Sequence, residues 1–126
     1  ATYKIRNVAT GRYLDSELNG VVTLAGSGPY DDQQWVATQQ ASGAWTFRNV
    51  RTGRYYLDTD ATNNAVLWNS GEIIADSSWS PESTTGGLRL RNVKSGRYYM
   101  YATSAGELKW NTGSTDNTTV WAFERQ

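Results

Sequence analysis

The chain has 126 residues, enough for one modest domain, and its 12 basic residues are balanced by 12 acidic ones, so no electrostatic term favours a nucleic acid or an anionic membrane as partner. It contains no Cys and no His, which removes disulfides, thiolate metal sites and thiol nucleophiles, along with the commonest general base and transition-metal ligand. No segment approaches the roughly 20 apolar residues of a membrane span. Only three basic residues are Lys while Ser, Thr, Asn and Gly are plentiful, a composition that suits a secreted protein.

The first predicted element is a strand in which Tyr3 and Ile5 alternate with polar residues, the period of a sheet with one buried face. It runs into the phrase RNVATGRYLD at 6–15, read as a hairpin turn with Gly11 at positive φ and a second strand at Tyr13-Leu14. A short apolar run from Val21 to Leu24 predicts a third strand, and the unit closes on Trp35. The same succession then recurs. Trp45 and Phe47 lead into RNVRTGRYYLD at 48–58, followed by an apolar run from Ala65 to Trp68 and a closing Trp79. Leu88 and Leu90 lead into RNVKSGRYYMY at 91–101, followed by Leu108 to Trp110 and a closing Trp121.

The phrase starts at Arg6, Arg48 and Arg91, offsets of 42 and 43 residues, so three units fill nearly the whole chain, at approximately 1–43, 44–86 and 87–126 of a single domain. Each offers about four short strands, and no window long enough for a helix shows the helical period. Three units are too few for a propeller, which closes with four to eight blades. A closed threefold arrangement leaves no free sheet edge, so the expected fold is all-β: a pseudo-threefold β-trefoil. The repeated phrase and the three closing Trp residues are expected to be structural.

The first unit also carries Gln33-Gln34-Trp35, a Gln-x-Trp pattern, with Leu14-Asp15 upstream. With Gly11-Arg12, Ser16, Asn19-Gly20 and Val22, these residues resemble the ricin B-type, or R-type, β-trefoil lectin family, and in this unit its actinohivin-like bacterial members. The pattern is intact only once, since Ser77-Ser78-Trp79 and Thr119-Val120-Trp121 stand at the matching places. The resemblance implies shallow sugar pockets, up to one per unit. In each, an Asp after the second strand accepts hydrogen bonds from hydroxyls, an aromatic face stacks on the sugar's C–H face, and an Asn or Gln completes the set.

Carried over position by position, the second unit is the most complete, with Asp58, Trp68 and Asn69. The third has Trp110 and Asn111, with Tyr101 where Asp is expected. The first keeps Asp15, with Asn19 nearby, but has Leu24 or Ala25 where the others have Trp and lacks the Tyr and Asn that the resemblance places in its later loop, so the expected order of pockets is second, third, first. Other readings stay open at these positions. Asp15 and Asp58 could simply cap turns. Trp68 and Trp110 point inward if Val66 and Leu108 are core, and Trp68 points outward if Ala65 and Leu67 are, unless a bulge breaks the parity.

The resulting expectation is a secreted, non-catalytic lectin without cofactor or metal, binding galactose- or mannose-type glycans, with neither nucleic acid nor membrane insertion. Two alternatives accompany it. One is a carbohydrate-binding module of a larger secreted glycoside hydrolase. The other is a trefoil protein-binding or protease-inhibitor domain working through a protruding loop, for which the segment from Glu72 to Gly87 is the best candidate.

Overall fold

A computed structural model describes residues 1–17, 20–53, 56–59, 65–68, 73–96 and 98–126, with only the backbone followed over 65–68. The first repeat contains β1 (Thr2–Asn7), β2 (Tyr13–Ser16), β3 (Val22–Ala25) and β4 (Trp35–Gln39). The second contains β5 (Trp45–Asn49), β6 (Tyr56–Thr59), β7 (Ala65–Trp68) and β8 (Trp79–Thr84). The third contains β9 (Gly87–Asn92), β10 (Tyr99–Ala102), β11 (Leu108–Thr112) and β12 (Trp121–Arg125). A single 3₁₀ turn precedes the last strand of each repeat, at Asp31–Gln33, Ala75–Ser77 and Asn117–Thr119.

Six strands close a ring: β1 pairs with β4, β4 with β5, β5 with β8, β8 with β9, β9 with β12, and β12 with β1, all antiparallel. Closure gives every barrel strand two neighbours, so the barrel itself has no open edge. Three hairpins, β2–β3, β6–β7 and β10–β11, attach to the ring through β1, β5 and β9. This is the β-trefoil that the repeat predicts.

The closing Trp residues are core, as expected. Trp35, Trp79 and Trp121 are fully buried, and each indole N–H donates to the carbonyl of its own repeat's second strand: Leu14 at 3.2 Å, Leu57 at 3.1 Å and Met100 at 3.0 Å. Each joins barrel to hairpin and satisfies its one polar atom while burying a large apolar area. Around them pack Ile5, Leu14, Phe47, Leu57, Leu90 and Met100.

The repeated phrase is explained by its Asn. Asn7, Asn49 and Asn92 are fully buried. Each side-chain oxygen accepts from a backbone N–H in its own turn, at Thr10, Thr52 and Ser95. Each side-chain amide donates to a carbonyl in the 3₁₀ turn of the preceding repeat: Asn49 to Asp32, Asn92 to Asp76 and, across the chain ends, Asn7 to Thr118. The following Val continues this staple, its N–H donating to Gln34, Ser78 and Val120. Gly11, Gly53 and Gly96 close the turns at φ of 72°, 74° and 73°, a region costly for any side chain. The phrase is therefore a ring of inter-repeat clamps.

Two sequence expectations change. The segment from Glu72 to Gly87 is not a protruding loop over its described part: Trp79–Thr84 forms β8, zipped to β9 from Trp79↔Asn92 to Thr84↔Gly87, because Trp79 belongs to the core. The matching of Trp68 with Trp110 also fails in register. Asp58 faces Val66 and Tyr101 faces Lys109, so Trp110 occupies the Leu67 position rather than that of Trp68. A bulge between Tyr99 and Tyr101 then restores pairing at Tyr99↔Thr112.

Candidate functional site

Asp15, Asp58 and Tyr101 occupy one equivalent position, facing Thr23, Val66 and Lys109 across their hairpins. The strand alternation that buries Leu14, Leu57 and Met100 under the hairpins turns these residues to the other face. The three positions then diverge in their surroundings.

In the first repeat Asp15 is half-buried, and its Oδ2 accepts from the Gln33 side chain at 3.3 Å. Gln33 is itself buried and fully used: its amide also donates to the Gly26 carbonyl at 2.8 Å, and its oxygen accepts from the Gly28 N–H at 3.0 Å. The Gln of the Gln-x-Trp pattern thus ties the 3₁₀ turn, the 26–28 segment and the acid into one unit. Burial pushes the Asp15 carboxyl above its ordinary range, the Gln33 hydrogen bond pulls it back, and the neighbouring Asp32 carboxylate pushes it up further. Asp32 Oδ1 is buried and, among the described residues, accepts no hydrogen bond. The rim is polar, with Thr23 donating to Glu17 at 2.8 Å. Leu24, at the place where Trp was sought, is core.

One aromatic that the sequence reading passed over stands here. Tyr30 precedes the 3₁₀ turn and is 60% exposed. Its ring lies over Gly28, where a Cβ would come within 2.6 Å of it, so the glycine makes room for the ring. Gly28 in turn donates to the Gln33 that holds Asp15. Aligning the repeats on their closing Trp would have shown Tyr30 against Ile74 and Asp116, the only aromatic of the three.

In the second repeat Asp58 is 1% exposed, and its Oδ1 accepts from the Thr59 N–H at 2.7 Å. Burial pushes its carboxyl up to about 6; the Thr59 hydrogen bond opposes this and the nearby Asp76 adds to it. No Gln reaches it, because Ser77 occupies the Gln33 place and bonds back to Ile74. Trp68 stands opposite Tyr56 in the ladder, and its side chain, like Asn69 in this repeat and Asn19 in the first, lies outside the described residues.

In the third repeat Tyr101 is half-buried. Trp110 packs against the core and meets Tyr98 edge-on, ring centroids 6.1 Å apart. Asn111 Oδ1 is buried without a hydrogen-bond partner among the described residues. Thr119, at the Gln33 place, accepts from Arg89 and donates to the Asp116 carbonyl. Among the described residues no group of three or more acidic side chains could hold a metal ion, and no helix is long and apolar enough to cross a membrane.

By sequence alone no curated protein matches the chain. Solved structures match its fold closely at low identity. A GlcNAcα1-4Gal-releasing endo-β-galactosidase from Clostridium perfringens aligns with a TM-score of 0.87 and 23% identity over 98% of this chain, which spans only 32% of that protein. ThreeFoil, a designed threefold-symmetric protein, aligns at 0.88 and 18% identity over 99% of both chains. The Macrolepiota procera ricin B-like lectin, solved with lactose, aligns at 0.83 and 20% identity over all of this chain and 96% of its own. The sequence profile described as ricin-type beta-trefoil lectin domain-like matches residues 1–69 and 31–111. With the ring of six strands, the three hairpins and this match over most of its length, the chain belongs to the ricin-type β-trefoil lectin domain-like family.

Proposed function

We propose that this chain is a secreted, non-catalytic lectin domain that binds galactose-type glycans through shallow pockets, with the principal pocket in the first repeat. The observation that carries this reading is the Asp15 unit: a half-buried carboxylate oriented by Gln33 and two hydrogen bonds away from the exposed ring of Tyr30. Sugar hydroxyls are donors that such acceptors satisfy, and an aromatic ring suits the C–H face of a pyranose. Asp58 sits at the same strand position but is covered, so the second repeat, with Trp68 and Asn69, is a weaker pocket. The third, with Tyr101, Trp110 and Asn111, lacks the acid. Galactose is favoured over mannose by the lactose bound to the Macrolepiota lectin. Several weak pockets on one domain gain affinity by avidity on a multivalent surface.

A second reading has a specific observation behind it. The same fold forms about a third of the clostridial galactosidase, so this chain could hold a larger secreted glycoside hydrolase on its substrate. Both readings need the same pockets.

A glycan array, followed by titration of wild type, Asp15→Asn and Asp58→Asn, tests the proposal. Galactose-terminated glycans should bind, and Asp15→Asn should weaken them about tenfold or more, the scale of one charge-assisted hydrogen bond. Glycan binding that survives both substitutions would overturn the pocket assignment. Absence of binding to every glycan would overturn the function.

A further inference from the structure

A cavity of about 370 Å³ opens between the first and third repeats, lined by neither Asp15 nor Asp58 and reaching Ala102 at the end of β10. Its walls are the first hairpin turn, through Thr10 and Arg12, the β10–β11 turn from Thr103 to Gly106, and Thr118. The Arg12 guanidinium reaches across to that turn, 3.8 Å from where a Cβ on Gly106 would stand. It makes no ion pair or side-chain hydrogen bond with any described residue. Arg6, Arg51 and Arg91, by contrast, are paired with Glu124, Asp32 and Glu82.

By register, Ser16, Thr59 and Ala102 are equivalent, facing Val22, Ala65 and Leu108. The next residue is Glu17 in the first repeat, Asp60 in the second and Thr103 in the third. On the turn facing Arg12 the residue at the Glu17 place is therefore Thr103, a hydroxyl instead of an acid. What remains is rich in donors. Thr10 Oγ1 accepts from the Arg12 N–H and Thr103 Oγ1 accepts from the Glu107 N–H, so both hydroxyl protons are unspent, and the Ser104 hydroxyl has no partner among the described residues. Of the nearby acids, Asp116 spends its carboxylate on Ser114 and Thr118, and Glu107 is exposed just beyond the turn.

A neutral sugar needs acceptors for its hydroxyl protons, whereas this cavity offers a guanidinium fork and three hydroxyl donors, the complement of an anionic oxygen group. We infer that the Arg12 cavity is a second saccharide subsite, selective for the sulfate or carboxylate group of an acidic glycan. The inference rests on the glycan-binding reading above, but uses none of its pocket residues. The corresponding arginines, Arg54 and Arg97, lie outside the described residues.

The test is calorimetric titration with three soluble probes: galactose, galactose 6-sulfate and N-acetylneuraminic acid. Wild type should bind at least one acidic probe about tenfold more tightly than galactose, the scale of a charge-assisted contact, and added NaCl should erode that preference. Arg12→Gln should abolish the preference and leave galactose binding unchanged, and Ser104→Ala should reduce it a few-fold, with near-ultraviolet circular dichroism confirming the fold of both. The acidic probe that responds identifies sulfate or carboxylate as the natural group. Equal affinity for neutral and acidic probes, or an acidic preference that survives Arg12→Gln, overturns the inference. Galactose binding without acidic preference removes this site and keeps the lectin reading. Acidic binding without galactose binding does the reverse.

Discussion

The first and second repeats place an aspartate at the same point of the same strand, yet give it opposite circumstances. Asp15 keeps an accessible edge and is held by Gln33, whereas Asp58 is covered and carries one backbone hydrogen bond on its Oδ1. The difference starts at one sequence position, Gln33 against Ser77. A long amide reaches back to the acid; a short hydroxyl can only close its own turn on Ile74. Position on a repeat fixes where a carboxylate sits; burial raises both carboxyls, and at Asp15 the Gln33 hydrogen bond opposes that rise.

The largest effect should appear where the repeats are alike. Trp79→Ala and Trp35→Ala each remove a fully buried indole and its hydrogen bond, and each should cost about 3–5 kcal/mol in chemical denaturation. Unequal costs would mean that the closing indoles do not share the load evenly, and would break the view of equivalent frames.

The next effect should appear where the repeats differ. Asp58 is lifted from its ordinary value of 3.8 to about 6 in the folded state, so between those values the folded chain holds a proton that the unfolded chain has lost. Stability therefore falls as pH rises through this window, by about 3 kcal/mol, and is fully present only below it. Asp58→Asn should remove most of that slope, read as denaturation midpoints from pH 4 to pH 7. A wild-type slope that persists in the variant would place the titration on another group.

The smallest effect transplants one repeat's chemistry into the other. Gln33→Ser should raise the Asp15 carboxyl further, since it removes the hydrogen bond that opposes burial. It should also cost about 1–2 kcal/mol by leaving the Gly28 N–H and Gly26 carbonyl unpaired. Carboxyl NMR titration of Asp15 reads the first outcome, and an unchanged midpoint would show that Gln33 does not set its charge.

The fold was legible because it is written three times. Alternation in β1, β5 and β9, the glycine turns and the closing Trp residues each recur, and closure of a threefold ring is the arrangement that leaves no edge. The sites were legible only as residue types. Asp15 and Asp58 were found by position. Tyr30 was missed because the search for a stacking ring followed the apolar run after the second strand, where Leu24 turned out to be core. Trp110 was matched to Trp68 because each is followed by Asn, whereas counting from the repeated phrase, 43 residues on, sets Asn111 against Trp68 and Trp110 against Leu67, as the register has it.

Sequence by itself determined the repeat, the hairpin turns and the identity of the three closing buried indoles, since these follow from local periodicity and turn chemistry. Tertiary structure decided everything that depends on contacts distant along the chain. It set the reach of Asn7 to Thr118, the hold of Gln33 on Asp15, the covering of Asp58, and the meeting of Arg12 with the β10–β11 turn. Such pairings arise only when the ring closes and brings segments from different repeats side by side, and a carboxylate's charge or an arginine's freedom is set by what arrives beside it.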